Sequence, residues 1–97
     1  MYVVMTTVEV ELDSIDELAA LFDETNRDLV AGHDDWLAAY FTANRDTSTV
    51  TVIAHWNTAA SYEALRSSEE FQRVMGQFAA RFVGPPTVSI NEVLVQM

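Results

Sequence analysis

The chain has 97 residues, 49% of them hydrophobic, with five Arg and no Lys against 15 acidic residues, for a formal charge of −10. That length supports one core, so a single domain over residues 1–97 is expected, and the acidity leaves no basic stripe for nucleic acid or an anionic membrane surface. No cysteine, no basic leader and no apolar run near the roughly 18 residues of a membrane span point to a soluble chain in the reducing cytoplasm.

Tyr2 to Val10 alternates Val and Thr with other residues and reads as a first strand, with Tyr2, Val4, Thr6, Val8 and Val10 on one face. Ser14 and Glu17 have the spacing of a capping box, after which Ile15, Leu18, Ala19, Phe22, Asn26 and Leu29 recur at helical spacing. Gly32 stands where a left-handed cap would close that helix. Asn26 is the one polar member of its stripe, placed to face a cavity or the sheet rim.

Trp36 to Asn44 reads as a second strand, with Trp36, Ala38, Tyr40 and Thr42 on one side and Leu37, Ala39, Phe41 and Ala43 on the other. After the polar turn Arg45 to Ser48, a strand from Thr49 to Asn57 pairs with it as a hairpin. Thr58 caps a short helix carrying Tyr62 and Leu65, and a second capping box, Ser67 with Glu70, opens a longer one whose stripe is Phe71, Val74, Met75, Phe78 and Phe82. Gly84-Pro85-Pro86 stops it, and Val88 to Val95 alternates as a last strand.

This order predicts an α+β, ferredoxin-like βαββαβ fold, a four-stranded antiparallel sheet with its helices on one face. The strands carry apolar residues on both sides, so a second copy is expected on the open face, making a homodimer.

The three glycines make no phosphate cradle, and His33 and His55 fall short of a catalytic zinc set, so no metal is expected. Trp56, closing its strand, and Tyr62, six residues on, read as a pocket wall or as ordinary core aromatics. Arg73 lies off its helix stripe with Glu69 and Glu70 in ion-pair reach. His33 falls in a loop, at a cavity mouth or simply in water, and His55 points away from Trp56, toward the expected dimer side.

A strand ending in Trp56, the segment Asn57 to Tyr62 and the later Gly84-Pro85-Pro86 resemble the antibiotic biosynthesis monooxygenase family of dimeric α+β barrels. The resemblance covers nearly the whole chain. It implies a cofactor-independent monooxygenase that oxidises an anthrone- or phenol-like polyketide intermediate with O₂, with Trp56, Tyr62 and Arg73 as catalytic residues. Val52, Phe41, Asn26 and His33 are the candidate substrate contacts. An anthrone-oxidising member carries Asn four residues before the Trp, where this chain has Val52. A haem-degrading branch carries an Asn and a His where this chain has Thr7 and Leu65, so haem is not expected.

Ground-state O₂ is a triplet, and a protein without flavin or metal needs a substrate that supplies the electron itself, as a deprotonated phenol or anthrone does. The requirements are an apolar cavity, donors that stabilise the anion, and a proton acceptor. Two other readings use the same scaffold: a polyketide cyclase, which consumes no O₂, and a non-catalytic dimer that carries a hydrophobic ligand.

Overall fold

Val and Thr dominate the inner strands, where branched side chains pack well on a pleated surface. The computed structural model describes residues 1–97. Strands β1 (Tyr2–Glu9), β2 (Trp36–Asn44), β3 (Thr49–Trp56) and β4 (Thr87–Glu92) form one antiparallel sheet in the order β2-β3-β1-β4. Helices α1 (Ile15–Val30), α2 (Ala59–Arg66) and α3 (Glu69–Ala79) complete the ferredoxin-like arrangement. No helix is long and apolar enough to cross a membrane.

The sheet register stacks inner-face residues into rows. Val88, Thr6, Val52 and Phe41 are successive partners in one row, and Ile90, Val4, Ala54 and Ala39 in the next. At one end of the inner face, Val8, Val10 and Val50 pack with Ile15, Leu18, Val74 and Phe78; at the other, Val4 packs with Leu29, Trp56, Tyr62 and Leu65. Each such buried aliphatic side chain contributes about 1.5–3 kcal/mol, so this face holds the helices to the sheet.

Several local details differ from the sequence expectation. Ser14 is already helical in backbone, at the end of a 3₁₀ turn over Leu12–Ser14, and its hydroxyl donates to the Glu11 carbonyl at 2.6 Å. It therefore makes no capping box, and Glu17 instead accepts from Arg81 at 3.1 Å. The cap of α3 is Ser68, not Ser67, because α2 runs to Arg66 and takes Ser67 as its own C-cap. The Ser68 hydroxyl accepts from the Phe71 amide at 3.2 Å.

Helix α3 also ends before Phe82, which forms a bridge to Val10 and still packs against the core. β4 stops at Glu92 rather than Val95: its ladder with β1 ends at the Tyr2–Glu92 pair, followed by one last backbone bond from the Val93 amide to the Met1 carbonyl at 3.0 Å. Leu94 and Val95 are accordingly exposed. Gly32 does hold a positive φ of 82° at the end of α1, a conformation that suits glycine.

The other sheet face has no cover within the chain. Met5 and Tyr40 are exposed there, and the Tyr40 ring meets the His55 ring edge-on with centroids 5.9 Å apart.

Candidate functional site

A cavity of about 290 Å³ lies between the inner sheet face and the helices. It exists because Ala39, Ala54, Val4 and Val52 present small side chains across the middle of the sheet. The larger Trp36, Trp56 and Phe41, with Phe22, Leu29, Tyr62, Phe71 and Phe78 from the helices, stand around that gap. Its size is at the lower end of the roughly 300–1,000 Å³ typical of small-molecule sites. A second concavity, between α1 and the edge strand β2, shares Phe22, Asn26, Val30, Trp36 and Ala39 with the first. This second concavity lies beside the Arg27–Asp23 ion pair of 2.8 Å.

Trp56 closes β3 and is 1% exposed. Its ring meets Tyr62 edge-on at 6.0 Å and His33 at 6.1 Å. Trp36 occupies the partner position on β2, and strict alternation would turn it outward with Tyr40. A β-bulge between Trp36 and Ala38 adds a residue to β2, so Trp36 pairs with Trp56 and both line the cavity. The indole N–H groups of Trp36 and Trp56 are both buried and neither has a hydrogen-bond partner. An unpaired buried donor costs about 1–3 kcal/mol.

Helix α2 supplies the other polar contacts. Its start is fixed by Thr58, whose hydroxyl accepts from the Ser61 amide at 3.2 Å, and by the Ser61 hydroxyl, which donates to Asp35 at 2.5 Å. Hydrogen bonds to Asp35, led by that from Ser61 and joined by Asn57 and Thr58, hold its carboxyl below the ordinary range. One turn on, Tyr62 faces the cavity, and burial pushes its phenol pKa up despite the opposing charge of Arg66. Arg66, four residues after Tyr62 and so on the same helix face, also lines the cavity. Arg27, Arg45 and Arg81 are in salt bridges, whereas Arg66 is in none.

Of the residues singled out from sequence, Trp56, Tyr62, Val52, Phe41 and Asn26 line one cavity. Arg73 does not join them: Val74 and Phe78 set the inward phase of α3, which leaves Arg73 exposed and outside the lining. His33 is likewise exposed and outside it, in the turn after α1, touching the site only through the Trp56 ring.

The residues not foreseen are Trp36, Arg66, Thr25 and Gln72. The four-residue spacing from Tyr62 was a usable signal for Arg66. The bulge that turns Trp36 inward has no mark in the sequence. The lining contains no Asp, Glu or His, so Arg66 is its one charged group. No group of three or more His, Asp and Glu side chains is placed to hold a metal ion.

The family profile described as "Antibiotic biosynthesis monooxygenase" matches residues 1–77. No curated protein matches the chain. Among solved structures, one described as an antibiotic biosynthesis monooxygenase is similar at 18% identity and a TM-score of 0.79, over 98% of this chain and 100% of the other. Rv0793 from Mycobacterium tuberculosis is similar at 16% identity and a TM-score of 0.79, over 98% and 96%. A variant of SnoaB, a cofactor-independent oxygenase from Streptomyces nogalater, is similar at 12% identity and a TM-score of 0.82, over 99% and 95%. At these identities the structural matches establish the shared fold.

Proposed function

This chain belongs to the antibiotic biosynthesis monooxygenase family, matched over residues 1–77, and from that premise we propose that it is a cofactor-independent monooxygenase acting on a reduced aromatic, an anthrone or phenol of polyketide type. The observation that carries this reading is the charge pattern of the cavity. In a chain of formal charge −10, the lining has one cation, Arg66, and no carboxylate. Tyr62 adds a hydrogen-bond donor within apolar walls that include the rings of Trp36 and Trp56. Such a site favours the anion of a hydrophobic molecule over its neutral form.

For an anthrone the sequence of steps balances without a bound oxidant other than O₂. Loss of a ring proton gives the enolate, whose charge Arg66 and Tyr62 stabilise, and the proton leaves to water. The enolate passes one electron to O₂, the two radicals combine to a peroxide anion that takes a proton back from water, and loss of water from the hydroperoxide leaves the quinone. One oxygen atom is in the product and one in water. The residues of the chain bind, orient and hold the anion, and no cofactor enters the proposed route.

The same reading includes a homodimer formed through the uncovered sheet face, supported by exposed Met5 and Tyr40 beside Val3, Ile53 and His55. Absence of cysteine supports placing it in the cytoplasm. Purified protein should consume O₂ with an anthrone, and Trp56→Phe should slow it severalfold; a rate equal to the buffer blank would refute the proposal. Val52, an apolar residue within the cavity, favours a second reading, a carrier of hydrophobic ligands. A carrier would bind the anthrone and return it unchanged.

A further inference from the structure

The inner cavity and the groove between α1 and the edge strand β2 meet at Phe22, Asn26, Val30, Trp36 and Ala39, which border both spaces. Four of these residues are apolar, and Asn26 is the exception. Its sequence neighbours are committed: the Thr25 hydroxyl donates to the Leu21 carbonyl at 2.7 Å, and the Arg27 guanidinium donates to Asp23 at 2.8 and 3.1 Å. The Asn26 amide bonds to no group of the chain, and it is not sealed off either, since the enclosed side-chain polar atoms without partners are the ring nitrogens of Trp36 and Trp56. A half-buried amide that touches two cavities is therefore free to bond to what fills them. Its presence costs the fold something, because Asn is a poorer helix former than Leu and interrupts the apolar face of α1.

We propose that the α1–β2 groove is a second subsite, taking a short, uncharged polar arm of an aromatic ligand whose rings fill the inner cavity, with Asn26 as the residue that selects the arm. The subsite rests on the cavity being the ligand site of the proposed oxygenase, and it is independent of the oxidation step. The groove, about 180 Å³, is smaller than the roughly 300 Å³ at which independent small-molecule sites begin, so it suits a substituent of a ligand anchored next door. Charge decides the character of that arm. Arg27, the one cation of the groove, is neutralised by Asp23, and the exposed Glu24 and Asp28 of the same turn are acidic, so a carboxylate arm finds no free partner there. A hydroxyl or carboxamide can both donate to and accept from the Asn26 amide. Arg66 borders the inner cavity but not the groove, so the anionic and the neutral polar groups of one ligand are sorted to different walls.

The test uses three probes with one ring system: naphthalene without an arm, 1-ethylnaphthalene with an apolar arm and 1-naphthaleneacetamide with a polar one. Equilibrium dialysis reads their affinities for the wild type and for each variant. Asn26→Leu should weaken the acetamide by roughly three- to tenfold, while naphthalene and 1-ethylnaphthalene bind as tightly as before or more so. The ligand-free variant should melt no lower than the wild type, which separates a binding role from a structural one; if it does not fold, Asn26→Ala is read in the same way. An unchanged affinity for the acetamide, or an equal loss for all three probes, would overturn the proposal. Ala39→Val narrows the junction of the two spaces with a residue suited to a strand, and should weaken both armed probes while sparing naphthalene. An equal effect on all three would place the arm elsewhere and overturn the subsite. None of the probes is an anthrone, so failure of O₂ uptake leaves these affinities untouched and the two proposals fail separately.

Discussion

Arg66 against Arg73 is the sharpest contrast the site offers. Both are exposed and in no salt bridge, but Arg66 borders the cavity on the Tyr62 face of α2, whereas Arg73 is outside the lining. Two unit charges 4 Å apart interact by about 1 kcal/mol in water and about 4 kcal/mol at an effective dielectric constant near 20. The Arg66 side chain is solvent-accessible, so the lower part of that range applies. A loss of about 1–2 kcal/mol of transition-state stabilisation lowers kcat/KM roughly 5- to 30-fold. Arg66→Gln should show that loss in O₂ uptake with an anthrone, Arg66→Lys should recover part of it, and Arg73→Gln should stay near the wild-type rate. Both are surface substitutions expected to change stability by no more than about 0.5 kcal/mol, so thermal unfolding checks that the effect is on the reaction. An Arg73→Gln loss equal to or larger than that of Arg66→Gln would refute the placement of the cation.

Tyr62 carries a folded-state pKa above the ordinary value of 10.0, mainly through burial. Its contribution to stability is therefore full below pH 10 and is lost as pH rises through the folded value; Tyr62→Phe should flatten that alkaline decline in a denaturant titration. Val52→Asn puts an amide into the cavity beside Phe41 and Thr6, and should raise anthrone turnover while lowering stability by about 1–3 kcal/mol, read by O₂ uptake and thermal unfolding. Ile53→Arg places a charge on the open sheet face, and light scattering should report a change from twice the 10.8 kDa chain mass to the single chain mass.

The fold was legible because most elements carry their own period: alternating Val and Thr in β1, the Phe71 to Phe78 stripe in α3, with Gly32 closing α1 and Gly84-Pro85-Pro86 leading into β4, although α3 itself already ends at Ala79. The boundaries that differed did so through neighbours that a linear reading lacks. Ser14 is drawn into a 3₁₀ turn by the Glu11 carbonyl, and β4 ends with its ladder to β1 at the Tyr2–Glu92 pair. In the site, Trp56 and Tyr62 were visible as aromatics at an element junction. Arg66 was missed although its four-residue spacing from Tyr62 marks the same helix face, while Arg73 came from the family resemblance and lies off the Phe71, Val74, Phe78 stripe that sets the inward phase of α3. Trp36 was out of reach, since one inserted residue reverses the face of everything before it.

The central claim is that this cavity lets a bound aromatic anion react directly with O₂. The most direct measurement is mass spectrometry of the product formed by chelator-treated protein from an anthrone under ¹⁸O₂. The account predicts a quinone with one ¹⁸O atom and the second ¹⁸O in water, at a rate well above the protein-free control. A product of unchanged mass, or label incorporated no faster than in the control, would contradict it.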